Sequence, residues 1–225
     1  MRSVLSVRSL PVSNDDKKVF GIYLIVITIA IACVLMNWLL RGGLPVDTTV
    51  TERMVFILQN RAVWTASWMV WMLAAIGLLV FCFILESALT TACLTARIGL
   101  SLVCLGIVPD LMAEVIYAFV MPQVLTQSIS SELFQLLEIV AVLLTGFLGN
   151  GLYNLGGLLL TLAAIRQGIV QSWVALWGLF AWLCGLGLSA VVALQWMSIA
   201  ELLTALSMVL STSWMLIVAH RVIKQ

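Results

Sequence analysis

Residues Ala62–Leu85 read AVWTASWMVWMLAAIGLLVFCFIL, a run of 24 without one charged side chain. Wound as an α-helix at about 1.5 Å per residue, the run is about 36 Å long, and a hydrocarbon core is about 30 Å thick. A helix that is apolar on every side has no face to turn to water. Outward from this stretch, five more runs meet the same length criterion: Val19–Leu40, Ile98–Met121, Leu133–Ile165, Trp173–Leu194 and Ile199–Ala219. The expected fold is all-α, an integral membrane bundle of about six transmembrane helices in a single domain over residues 1–225. The fourth run is too long for one straight span and holds Gly146, Gly149, Gly151, Gly156 and Gly157. It is expected to tilt, kink or continue past the membrane surface.

Composition points the same way. Of 225 residues, 63% are hydrophobic and 9% charged, with a mean hydropathy of +1.17. A soluble domain carries roughly 25% charged residues, so this composition cannot furnish an aqueous surface, and the lipid bilayer is the expected partner. A net charge of +1 and scattered Lys and Arg residues exclude a phosphate-backbone groove, so no nucleic-acid partner is expected.

Loop charges set the orientation. With the N-terminus inside, the inner segments hold Arg2, Arg8, Lys17, Lys18, Arg97, Arg166, Arg221 and Lys224, against Arg41, Arg53 and Arg61 outside. Both termini are expected in the cytoplasm, residues 1–18 as a cytoplasmic tail, in a bacterial plasma membrane. Ala30-Ile31-Ala32-Cys33 lacks the leucine of a lipoprotein cleavage box, and the apolar run continues to Leu40. A signal h-region is only about 7–15 residues long, so an uncleaved first span is expected.

Residues 41–61 form the longest outer loop. Gly42-Gly43 and Pro45 end the first helix, and Thr49-Val50-Thr51-Glu52 reads as a capping box opening a short interfacial helix. Its expected apolar side is Val50, Met54, Ile57 and Leu58, with Glu52, Arg53, Gln59 and Asn60 opposite. Trp64, Trp68 and Trp71 are expected as interfacial anchors at headgroup depth, indole N–H groups kept wet, and Trp173 and Trp177, with Trp182, as a second set on the inner side. From Glu52 to Leu79, the Trp64-x3-Trp68-x2-Trp71 entry followed by Met72-Leu73-Ala74-Ala75 resembles uncharacterised bacterial multi-pass membrane proteins with a tryptophan-rich second helix. The resemblance implies a helical membrane fold and no activity.

Several chemistries lack parts. A single histidine, His220, excludes a bis-histidine haem, an H-E-x-x-H zinc site and a histidine-dependent triad in the membrane. Gly149-Asn150-Gly151 lies in an apolar helix, without the strand that precedes a phosphate loop. Cys33, Cys82, Cys93, Cys104 and Cys184 are odd in number with no CxxC spacing, and read as packing residues. No cofactor or metal is expected.

The candidate polar site is intramembrane: Asp110, Glu114, Glu138, Glu201, Asn150 and Asn154. Asp110 and Glu114 share a helix face, four residues apart. Counted at about 1.5 Å per residue, Glu114 lies roughly 10 Å, Glu138 roughly 8 Å and Glu201 roughly 3 Å below the outer boundary, one acidic layer. Asp110 falls near the midplane beside Pro109. A carboxylate there costs roughly 2.5–3.5 kcal/mol, so something must compensate it: a proton or cation pathway, structural pairing, or a partner carrying the missing charge. Glu114 and Glu138 are expected to approach and share a proton, unless Arg53 or Arg61 reaches down to hold them ionised. Glu138 and Asn154 lie about 160° apart at about 100° per residue, too far to line one narrow channel. The expected function is an assembly or accessory role, with a membrane-protein partner or a second copy. The alternatives are a small proton- or cation-coupled transporter using those carboxylates, and an intramembrane enzyme or ligand carrier.

Overall fold

The computed structural model describes residues 13–46, 48–127 and 129–224, and Arg2 and Arg8 of the charge count lie outside these. Six helices are long and apolar enough to cross a membrane: α1 (Asn14–Leu39), α3 (Arg61–Ser87), α4 (Leu94–Leu125), α5 (Ser131–Arg166), α6 (Ser172–Ala193) and α7 (Met197–Ile223). The short α2 (Val50–Gln59) precedes α3. No strand occurs among the described residues. Each helix matches one of the six expected runs, α1 and α6 falling one residue short of its end, and most begin earlier in polar residues. Hydroxyl caps set three of the starts, Ser13 accepting from the Asp16 N–H, Thr49 from Glu52 and Ser130 from Leu133. At α2 the capping box is complete, since the Glu52 carboxylate accepts from the Thr49 N–H at 2.7 Å.

The over-long fourth run is one helix. A π-helical segment, Leu143–Gly149, lies within α5. A π turn carries one more residue than an α turn, which takes up excess length and resets the phase of everything beyond it. Removing one residue's rotation of about 100° turns the separation of Glu138 and Asn154 from about 160° to about 60°. Both side chains accordingly face inward, each 6% exposed. This corrects the wheel argument, which assumed unbroken α geometry. A second π segment, Ile116–Val120, precedes Pro122 in α4.

The α5 glycines make a seam. A Cβ on Gly156 would stand 2.4 Å from the Gly99 carbonyl oxygen, and one on Gly149 would stand 2.9 Å from that of Gly106. Antiparallel α4 and α5 thus touch backbone to backbone at two crossings, seven residues apart on each helix. Farther round the bundle, tryptophans fill the space over glycines. Trp182 of α6 lies on Gly157 of α5, and Trp214 of α7 on Gly178 of α6. Their indoles donate within the bundle, to Thr161 Oγ1 at 2.9 Å and the Val174 carbonyl at 3.0 Å.

The two ends are fastened differently. At the end carrying the 88–93 and 167–171 turns, the Gln167 amide donates to the Thr91 carbonyl at 2.8 Å and accepts from the Thr90 hydroxyl and the Thr91 N–H. Gly168 follows at φ +68°, a left-handed turn that glycine adopts without strain. At the opposite end, α2 packs on the end of α4 and the start of α5, with Ile57, Trp64, Leu125 and Phe134 in one buried cluster.

Candidate functional site

Arg53 anchors α2. Its Nε and Nη2 donate to the two carboxylate oxygens of Glu138 at 2.9 and 2.6 Å, and its Nη1 donates to the Thr48 carbonyl at 2.6 Å. Both side chains are more than nine-tenths buried. The expected wet side of α2 is thereby corrected: Arg53 and Ile57, four apart, form the buried face, while Leu58 is exposed. The counter-ion decides this, because a guanidinium can turn inward where a fixed carboxylate receives both prongs.

Two of the expected tryptophan anchors, Trp64 and Trp68, are not at a wet interface. Trp64 is fully buried and Trp68 nearly so, under α2 and the 41–46 segment. The Trp64 indole N–H donates to the Tyr117 carbonyl at 2.6 Å, and the Thr65 hydroxyl to the Ala118 carbonyl at 2.7 Å. In the π segment the Met121 N–H turns to Ile116, and Pro122 has no N–H to give, so side chains of α3 supply what the α4 backbone cannot. Trp68 stacks flat on Tyr117, centroids 4.2 Å apart. Trp71 is half-buried in the bundle interior. Trp173 and Trp177 are exposed near the other end, donating to Gln171 Oε1 and to Ser213 Oγ and the Leu210 carbonyl; Trp182 is buried.

The three acids expected in one layer, Glu114, Glu138 and Glu201, have three different surroundings. Glu201 is apart, paired with Arg41 at 2.8 Å with both side chains 42% exposed. Glu138 belongs to Arg53, so its expected proton-sharing with Glu114 is replaced by the ion pair. Glu114 is 0% exposed, and among the described residues neither carboxylate oxygen has a hydrogen-bond partner. One turn away, Asp110 accepts a hydrogen bond from the Thr145 hydroxyl across the α4–α5 seam. Asn150 donates to the Gly185 carbonyl at 2.7 Å and Ser189 Oγ at 2.8 Å, and Asn154 donates back to the Asn150 side-chain oxygen at 2.8 Å.

Asp110, Asn150 and Asn154 meet at a cavity of about 60 Å³ midway along the bundle. All six long helices contribute to it: Ile29 of α1, Trp71 and Ala75 of α3, Asp110 of α4, the two asparagines of α5, Trp182 of α6, and Ser207 and Ser211 of α7. No family model, curated protein or solved structure matches the chain. The residues and their geometry therefore carry the functional reading.

Sequence reasoning missed Thr145, Ser189, Ser207 and Ser211. Single hydroxyls in apolar helices leave no distinctive signal, since a free hydroxyl can bond its own preceding turn, as Thr204 and Thr212 do. Among the described residues no cluster of three or more metal-ligating side chains occurs.

Proposed function

We propose that the protein is a multi-pass protein of the bacterial plasma membrane, with both termini in the cytoplasm, that translocates a proton or a proton-coupled cation through its centre. The observation that carries this reading is the cavity: six helices converge on it at mid-length, and a carboxyl group and two amides line it. Polar residues at that depth are retained against a desolvation cost when a pathway needs them. Lipid exposure of the bundle is supported by large apolar side chains standing outward along it, among them Phe20, Leu105, Leu176 and Val209. The orientation rests on loop charge, and two of the three cations assigned outside, Arg41 and Arg53, are engaged by acids of the bundle.

In this mechanism Asp110 takes up and releases the proton, Thr145 orients its carboxyl, and the asparagine pair offers polar partners to what enters. The seam holding Asp110 is fixed, so access changes by movement of the opposite wall. The test is charge displacement in proteoliposomes adsorbed on a solid-supported membrane. A pH jump should give a transient current with the native protein, and Asp110→Asn should reduce it to that of protein-free vesicles. No current from the native protein sinks the reading. The assembly role has one observation in its favour, the enclosure of Glu114 by the protein's own helices, and the absence of current would turn the choice to it.

A further inference from the structure

We infer that the central cavity binds a small organic monocation, an alkylammonium of about four non-hydrogen atoms, with Asp110 as its counter-ion. The inference deepens the transport reading above and rests on it.

Three observations converge. The first is charge. Among the described residues no Lys, Arg or His lines the cavity, and α4 carries no cation after Arg97. The bundle's buried cation, Arg53, is consumed by Glu138 at the far end of the cluster. Asp110 therefore faces the cavity with a neutral hydroxyl as its partner. Glu114, one turn on, does not line the cavity but is fully buried, and among the described residues neither of its oxygens has a hydrogen-bond partner, so a second acid stands behind Asp110. The second is the lining. Trp71, Tyr153 and Trp182 border the space, and aromatic rings attract ammonium groups through their negative faces. Ser207 and Ser211 add hydroxyls that can accept from an N–H, while Met208 and Met215 suit an alkyl chain. The third is size. A water needs about 10–15 Å³ of such space, so about 60 Å³ admits roughly four to six water-sized atoms. Propylammonium, with four non-hydrogen atoms, fits within it.

A cation on Asp110 and a proton on Asp110 exclude one another. The site as built thus exchanges one for the other, and the cation's arrival on one side releases a proton there.

The experiment is saturation-transfer NMR on the purified full chain in micelles, with propylammonium, 1-propanol and acetate as probes of equal size and different charge. Propylammonium should take up saturation from the native protein. Asp110→Asn should weaken it about tenfold or more, as expected for losing a desolvated counter-ion. Ala75→Leu, which fills the cavity and leaves the carboxyl in place, should do the same, and it decides the matter if Asp110→Asn fails a thermal-melt check of folding. The other two probes should match the variants. Equal signals from 1-propanol, propylammonium signals unchanged in the variants, or no propylammonium signal at all each overturn the inference. A pH-jump current that survives without propylammonium binding would remove the ligand class and leave the proton reading standing; loss of both removes both.

Discussion

Glu114 and Glu138 are both buried carboxylates near one end of the bundle, yet their amides should behave oppositely. Glu138→Gln strips Arg53 of its counter-ion while the guanidinium stays buried, which costs about 3–5 kcal/mol. Glu114→Gln removes no bond, because the structure gives that side chain none, and should stay within about 1 kcal/mol. Urea unfolding in mixed micelles measures both, and equal losses would mean Glu114 has a charged partner. At the exposed Arg41–Glu201 pair, Arg41→Ala should cost less than about 1 kcal/mol, since water already solvates both ends. The contrast also explains what could be read in advance. The acids were legible as costly residues in apolar runs. Arg53 was legible as one possible partner, beside Arg61, but no local pattern chose between them, because Arg53 lies 85 residues from Glu138.

The helices themselves were legible, since run length and apolarity are local properties, and the α2 start was legible from Thr49 and Glu52. The π segments were not: an extra residue in a turn leaves no compositional mark, and it moved Asn154 by about 100° relative to Glu138. Nor was the burial of Trp64 and Trp68, because periodicity shows a face without showing what covers it. Two element-scale outcomes follow from geometry. Gly156→Ala places a methyl 2.4 Å from a carbonyl oxygen of α4 and should destabilise by about 1–3 kcal/mol as the helices separate. Gly21→Ala meets nothing within 4 Å and should stabilise by about 0.5–1 kcal/mol through helix propensity; thermal melts compare the two. At α2, hydrogen bonds from the Thr49 backbone N–H, then its hydroxyl, hold the Glu52 carboxyl below the usual carboxylate range. Because the folded-state value is the lower, the cap's contribution is complete above the ordinary value of 4.5 and is lost as pH falls through the depressed one. Amide exchange, corrected for intrinsic rates, should report fraying of α2 at acid pH in the native protein and no such transition in Glu52→Gln.

At the scale of the whole molecule, loop charge predicts which end of the bundle faces which compartment. In a chain freed of its five cysteines, a membrane-impermeant maleimide added to intact cells should modify Thr126→Cys and spare Ala92→Cys and Gln171→Cys until the membrane is permeabilised. The reverse pattern would invert the orientation argued from loop charge. Salt should distinguish the ends too. The Gln167 clamp is made of neutral groups and is indifferent to ionic strength, whereas the exposed Arg41–Glu201 contact is screened within a Debye length of about 8 Å.

The two glycine crossings between α4 and α5 carry a kinematic consequence. Their spacing along each helix is about 10.5 Å, seven residues at about 1.5 Å, and each is a notch into which the opposing backbone fits. A pair of rods notched at two points can neither slide past nor swivel about one another without lifting out of both. On the transport reading, these two helices would hold Asp110 in place while other parts of the bundle move around it. The wall that would move is the one facing this pair, where α7 brings Ser207 and Ser211 to the cavity.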